Sequence, residues 1–303
     1  MTNNTGEAKS IALLAWTQMH LSVVLFGFTA ILGRVITLPA TPLVWWRVMI
    51  VVFALLLIPA TWRGLRVMTP RMLVTYFAIG VVLCLHWLCF YGSVKYANSS
   101  VAATTLALGS MLVAFIEPLM TRQRIKIAEL ILGLVIVPGV LLIAGGTPER
   151  MFFGLILGIL SAVFVALVAI LNKRFIHDSD AITMTCVEMS AAWIFITAIS
   201  SFLPAKEFPF IMPTHHDLMW LLVLALACTA TPFILTFKAM RHVTAFGSLL
   251  AINMEPVYTI ILSILIFGEQ HELSAGFYAG VLIVLFTVFA YPFVHKETAT
   301  LAR

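Results

Sequence analysis

The stretch LSVVLFGFTAILGR, Leu21 to Arg34, returns without a gap as LSAVFVALVAILNK, Leu160 to Lys173. Both open on Leu-Ser, run through apolar residues and close on a basic one. A second pair keeps the same order: SVKYANSSVAATTLALGS (Ser93 to Ser110) aligns more loosely with AMRHVTAFGSLLAINMEP (Ala239 to Pro256), with Lys95 and Arg241 at the same place. Self-similarity in conserved order and spacing marks a duplicated unit. The chain therefore reads as two halves.

What the halves are made of follows from composition. The chain has 303 residues, 62% hydrophobic and 10% charged, with a mean hydropathy of +1.07. Soluble domains carry about 25% charged residues, so the solvent for most of this chain is lipid. A helix needs roughly 20 apolar residues to cross the hydrocarbon core. Lipid offers the backbone no partner, so such runs fold as helices. Ten runs qualify, near 13–35, 42–61, 71–93, 98–120, 127–146, 152–172, 182–203, 217–238, 243–267 and 273–294. Pro and charge mark the short loops between them. The longest, 204–217, has room for a short interfacial helix.

Loop charge sets orientation. One side carries Lys9, Arg63, Arg66, Arg71, Arg122, Arg124, Lys126, Lys173, Arg174, Lys238, Arg241, Lys296 and Arg303; the other carries only Arg34, Lys95, Arg150 and Lys206. That bias predicts both termini in the cytoplasm; a bacterial inner membrane is the expected location. Five spans per half is an odd number, so the second half must cross in the opposite sense. The expected fold is all-α integral membrane: ten transmembrane helices in two inverted five-helix repeats, 13–146 and 152–294, with cytoplasmic tails at 1–12 and 295–303. Inverted repeats typify secondary transporters, with the site near the midplane between the halves. The polar start MTNNTGEAKS does not read as a cleaved signal, because the apolar run after it is too long and too late.

Several classes fall away. The basic residues are spread over loops, not gathered for nucleic acid. Cys84, Cys89, Cys186 and Cys228 all lie in apolar runs without a CxxC pair and read as small buried hydrophobes. No GxxxxGK[ST] loop points to ATP as the energy source, and no HExxH or GxSxG points to an enzyme. The THHD run, Thr214 to Asp217, is too weak a ligand set to predict a metal. No carbonyl filter or charged ring marks a channel. No cofactor is expected.

Ionisable groups inside a span cost on the order of 3 kcal/mol and are functional candidates by default. Glu255 comes about 12 residues into its run, or ~18 Å along a helix, which places it near the midplane. Pro256 beside it removes a backbone hydrogen bond and supplies a kink, freeing the carbonyl near Ile252. Asn253 and Tyr258 bracket the same turn. Arg47 either lines a cavity or snorkels to the outer interface. Glu188 lies about two turns inside the cytoplasmic end, within reach of pairing. His86, next to Trp87, is either a proton shuttle or a neutral histidine bonded between helices. His20 and Gln18 sit near the start of the first span, and Arg47 or His20 can pair with a carboxylate. Glu117 reads as a structural partner of the basic loop, and the Phe and Met content as lipid-facing and packing surface.

VVLFGFTAILGR, YGSVKYANSSVAA and INMEPVYTIILSILIFGE, ending in Gly268-Glu269, resemble the drug/metabolite transporter superfamily in its EamA-type branch. Phe26-Gly27 stands where that family usually has Trp-Gly, and the counterpart of Glu255-Pro256 in the first half is Gly109-Ser110. The resemblance implies alternating-access transport of small solutes, often export of amino acids or related metabolites. It also implies a cavity lined by the first, third, fourth, sixth, eighth and ninth helices, with the fifth and tenth packed outside. A central carboxylate favours an amine-bearing solute, with protons as a coupling partner. Efflux of cationic drugs is the alternative, and a channel or membrane-embedded enzyme a remote one. The expected partners are the small-molecule substrate and the bilayer, with no nucleic acid, in a monomer or homodimer.

Overall fold

The computed structural model describes residues 3–121, 127–242, 251–252 and 254–294. No strand occurs among the described residues. The helices are α1 (Asn3–Val35), α2 (Ala40–Leu56), α3 (Pro59–Val67), α4 (Pro70–Tyr96), α5 (Ser99–Thr121), α6 (Ile127–Gly146), α7 (Phe152–Phe175) and α8 (Ala181–Ile199). After them α9 (His215–Leu222) runs through a π-helical segment, Val223–Ala230, into α10 (Thr231–Ala239). The last two are α11 (Glu255–Phe267) and α12 (Ala275–Val294).

Six helical stretches among these are long and apolar enough to cross a membrane, and a seventh if α2 and α3 form one bent span. Shorter apolar stretches lie in α6, α11 and α12. The chain is an all-helical, multi-pass membrane protein. The expected count of ten spans goes beyond what these helices establish.

Three boundaries differ from the sequence reading, each for a local reason. The second run does not continue to residue 61: α2 ends at Leu56, and α3 leaves it at 88°. Pro59 forces the break, because its ring disfavours a helical conformation at the residue before it. Ile58 is accordingly extended, at φ −88° and ψ 119°. The loop WRGLRV thereby becomes most of a helix. The first helix starts at Asn3 rather than 13, since nothing in the polar start breaks a helix. The eighth run carries a wide turn before Pro232, whose missing N–H cannot close an ordinary one. There Thr229 and Thr231 donate their hydroxyls to the carbonyls of Leu224 and Leu226, five residues back, at 2.7 and 2.8 Å.

The neighbour pattern survives exchange of the two halves. α4 packs on α7 as α10 packs on α1; α5 packs on α7 as α11 packs on α1. The pairs α2–α8, α5–α11 and α6–α12 each map onto themselves. In lipid the hydrophobic effect does not drive helices together, so close packing of small residues must. Gly280 of α12 shows how: a Cβ there would lie 2.6 Å from the Gly139 carbonyl of α6.

One end of the bundle is tied across the halves. Arg34, at the end of α1, pairs with Glu269 and, at 2.9 Å, with Glu272. Glu269 has no exposed surface and accepts the backbone N–H groups of Ser99 (3.2 Å) and Ser100 (2.8 Å) at the start of α5. Asn98 donates to Glu272 at 3.0 Å and caps Val101 N–H at 2.9 Å. Beside this cluster Asp217 accepts from the Thr37 N–H and hydroxyl, both at 2.7 Å, and Glu207 from Thr41 N–H at 3.0 Å. The run THHD is thus a helix start, with Thr214 accepting from Asp217 N–H at 3.1 Å.

Gly268 lets the chain turn into this cluster, at φ +67° and ψ +30°. An L-residue there costs about 1 kcal/mol. Gly268→Ala should lower the melting temperature by a few degrees with transport intact, as a thermal unfolding assay on purified protein would show.

Candidate functional site

A cavity of about 230 Å³ lies between the halves. Its walls come from α1 (Phe26, Thr29), α4 (His86, Trp87, Phe90, Tyr91), α5 (Leu106, Gly109, Val113), α7 (Val165, Asn172), the π segment and α10 (Cys228, Thr229, Phe233, Phe237), and the start of α11 (Glu255, Pro256). α2 adds Arg47. α6 and α12 line none of it and pack on each other.

Glu255 is the first residue of α11, not a mid-helix residue. Ala251 and Ile252 are helical, Met254 is a turn, and Pro256 falls in the first turn of α11, where a missing N–H costs nothing. The carboxylate therefore sits where the helix dipole favours negative charge. It is half-buried and has no hydrogen-bonding or ion-pair partner among the described residues. It faces a largely apolar space, where any cation that enters has little else to bind.

Arg47 does not snorkel. It is 1% exposed and turns inward. Its Nη1 donates to the Tyr91 hydroxyl at 2.7 Å, and the guanidinium carbon lies 3.9 Å from the Trp87 ring centroid. Its Nε and Nη2 have no partner among the described residues. Pairing with the aromatic rings of α4 recovers part of the desolvation cost that a route to the interface would have avoided. Rings also form much of the wall. Phe233 meets Phe26 and Trp87 edge to face at 5.6 and 5.8 Å, and Phe90 lies 5.9 Å from His86. Trp87 and His86 thus stand on the wall as candidates, and the phenylalanines, read from sequence as lipid-facing and packing surface, are cavity wall as well.

His86 Nδ1 lies 3.1 Å from the Ser161 carbonyl oxygen and 2.9 Å from its hydroxyl. Nδ1 can donate to the carbonyl or accept from the hydroxyl, so Ser161 of α7 orients the ring at the cavity wall in either tautomer. Glu188 is one side chain behind the wall. It has no exposed surface, and its Oε2 accepts from Asn172 Nδ2 at 3.5 Å. Glu188 Oε1 and Asn172 Oδ1 both lack partners among the described residues. A proton on Glu188 would join them as an acid–amide pair and satisfy both. Glu188→Gln should then leave stability within about 1 kcal/mol of the parent, whereas Glu188→Ala should cost 1–3 kcal/mol by orphaning Asn172, roughly as a buried polar group does. Thermal unfolding of the two variants checks this.

The remaining candidates fall elsewhere. Tyr258 packs behind Gly27 of α1 and does not line the cavity. His20 is exposed on the outside of α1, stacked on Trp16 at 5.8 Å. Asn253 lies outside the described residues. Glu117 accepts from Lys173 of α7 at 3.3 Å. Sequence reasoning missed Thr29, Asn172 and Thr229. Asn172 had a signal, being an amide inside an apolar run; the two threonines had none, since a span tolerates hydroxyls anywhere they can bond the preceding turn.

An all-helical bundle of two matching halves around a largely apolar cavity, with one cation and one carboxylate on its wall, is the layout of a membrane transporter. The chain belongs to the EamA-like transporter family, whose model matches residues 13–145 and again 152–291. It is 27% identical over 192 residues to an uncharacterized transporter, YetK, of Bacillus subtilis (strain 168). That match covers 61% of this chain and 58% of the relative, so the chain spans less than two thirds of that protein's length. A solved crystal structure superposes with a TM-score of 0.61 over 92% of this chain and 95% of the other, at 15% identity, which is a likeness of fold alone.

Proposed function

We propose that this protein is a secondary active transporter that carries amino acids or related amine-bearing metabolites by alternating access, in the direction of export. One observation carries the reading: a carboxylate, Glu255, without a partner among the described residues, at the wall of an aromatic cavity between the halves. A substrate ammonium can meet the carboxylate and the faces of the rings together. Ten spans in two inverted five-helix repeats, with both termini cytoplasmic in a bacterial inner membrane, complete the proposal. The symmetric neighbour pattern and the loop charges support it.

Arg47 favours amino acids over cationic drugs. A guanidinium and a carboxylate on one cavity wall suit a solute that bears both signs. Coupling to protons is proposed through Glu255, which is empty-handed when no substrate is bound, or His86, whose ring lines the same cavity. The test is a thermal-shift series on the purified protein, since a ligand that binds only the folded state raises the melting temperature. Free amino acids should stabilise it, and their N-acetyl derivatives should not. Stabilisation by quaternary ammonium drugs alone would favour the efflux alternative. No response to any amine would overturn the reading.

A further inference from the structure

A second pocket, of about 610 Å³, opens at the opposite end of the bundle from the Arg34–Glu269 cluster. Arg63 and Gly64 of α3, Asp180 to Ile182 at the start of α8, and Lys238 and Arg241 at the end of α10 line it. We infer that this pocket binds the phosphate of an anionic phospholipid headgroup.

The charges carry the first half of the argument. Three cations and one carboxylate stand around a mostly apolar pocket wall, and the carboxylate is occupied. Asp180 accepts the N–H groups of Ile182 (3.1 Å) and Thr183 (3.0 Å) and the Thr183 hydroxyl (2.5 Å). It caps α8 and has little left for a cation. Arg241 is anchored through Nη2 to the carbonyls of Ser179 (2.5 Å) and Ile176 (3.2 Å). Arg63 and Lys238 are exposed and have no partner among the described residues. Donors held at the rim of a concave surface, with no acceptor of their own, suit a phosphate better than they suit water.

The position carries the second half. The 88° turn from α2 lays α3 across the end of the bundle, nearly at right angles to the apolar helix before it. Leu57, Trp62 and Val67 stay 84%, 51% and 80% exposed on and beside it. A Trp with apolar neighbours and basic residues on a short surface helix belongs at headgroup depth. There the phosphate of a lipid reaches the three cations while its acyl chains cover the apolar rim. A soluble phosphate would leave that rim bare. The pocket also joins the halves, Arg63 coming from the first and Lys238 and Arg241 from the second.

The experiment uses the full chain in detergent and needs no transport. Retention of phosphatidylglycerol and of phosphatidylcholine is counted by native mass spectrometry, for the parent and for the double variant Arg63→Gln, Lys238→Gln. Neither replaced side chain has a partner among the described residues, so the fold should be kept; an unchanged melting temperature verifies that. Phosphatidylglycerol should bind the parent roughly 30-fold more tightly than the variant, each interfacial cation being worth about a fivefold gain. Phosphatidylcholine, which carries its own ammonium, should bind both weakly. Equal retention of phosphatidylglycerol by parent and variant would overturn the inference. So would glycerol phosphate competing as well as the lipid, which would make the ligand a soluble phosphate.

Discussion

Glutamine in place of Glu255 should cut transport by 10- to 100-fold and leave the protein inserted and stable. The carboxylate holds no neighbouring helix: none of the described residues donates to it. Its loss as a charge therefore removes little that is structural. For the substrate the loss is large, because a hydrogen bond to a charged group in a sheltered site is worth about 1.5–3 kcal/mol, and each 1.4 kcal/mol is tenfold in affinity. Flux measured in vesicles, beside a melting curve of the same preparation, separates the outcomes. A marked fall in melting temperature with flux intact would make Glu255 a structural residue and end its role in binding. If protons couple through Glu255, the residual flux should also lose its dependence on the proton gradient. A gradient response that survives in Glu255→Gln would move the coupling to His86.

The second large effect is on stability. Glu269→Ala should cost on the order of 3 kcal/mol, since two buried N–H groups lose their acceptor at about 1–3 kcal/mol each and part-exposed Arg34 loses one of its two carboxylates. The N–H groups of Ser99 and Ser100 lose their acceptor at once, and Arg34 keeps only Glu272. The start of α5 also loses the negative charge that its dipole favours. A drop on the order of 10 °C in melting temperature is expected, given 2–4 °C per kcal/mol for chains of comparable size. A change of a degree or two would show that this end of the bundle does not depend on the cross-half tie. Glu272 makes the same tie sensitive to acid. Burial pushes its carboxyl up, but the bonds from Asn98 and Arg34 and the Arg34 charge outweigh that and hold it below its ordinary 4.5. A lowered value means that its contribution is full above the ordinary value and is lost as pH falls through the lower, folded one. Stability should fall on acidification below about pH 4.5, less steeply in Glu272→Gln.

The cluster at Glu269 shows where sequence reading stopped. Gly268-Glu269 stood out as a recurrent pair, but nothing local assigned it a task. Its partners are Arg34 and the Ser99–Ser100 turn, roughly 235 and 170 residues away in the chain. The capping run Thr214 to Asp217 was local and hence legible, though a paired histidine drew attention from it. Arg47 was legible as a charge in lipid. Whether it turned to the interface or inward depended on Trp87 and Tyr91, which belong to another helix.

Composition and repetition alone determined that this chain lives in lipid, that it is helical, and that it is built twice. Those properties follow from the solvation of a backbone in hydrocarbon and from residues near one another in the chain. The tertiary structure decided which polar groups share a cavity, that Glu188 stands behind Asn172, that Tyr258 and His20 lie outside it, and where Pro59 and Pro256 break their helices. A span of apolar residues presents every direction around its axis equally to the reader of a sequence. Only packing against particular neighbours turns one face toward the substrate and another toward the lipid.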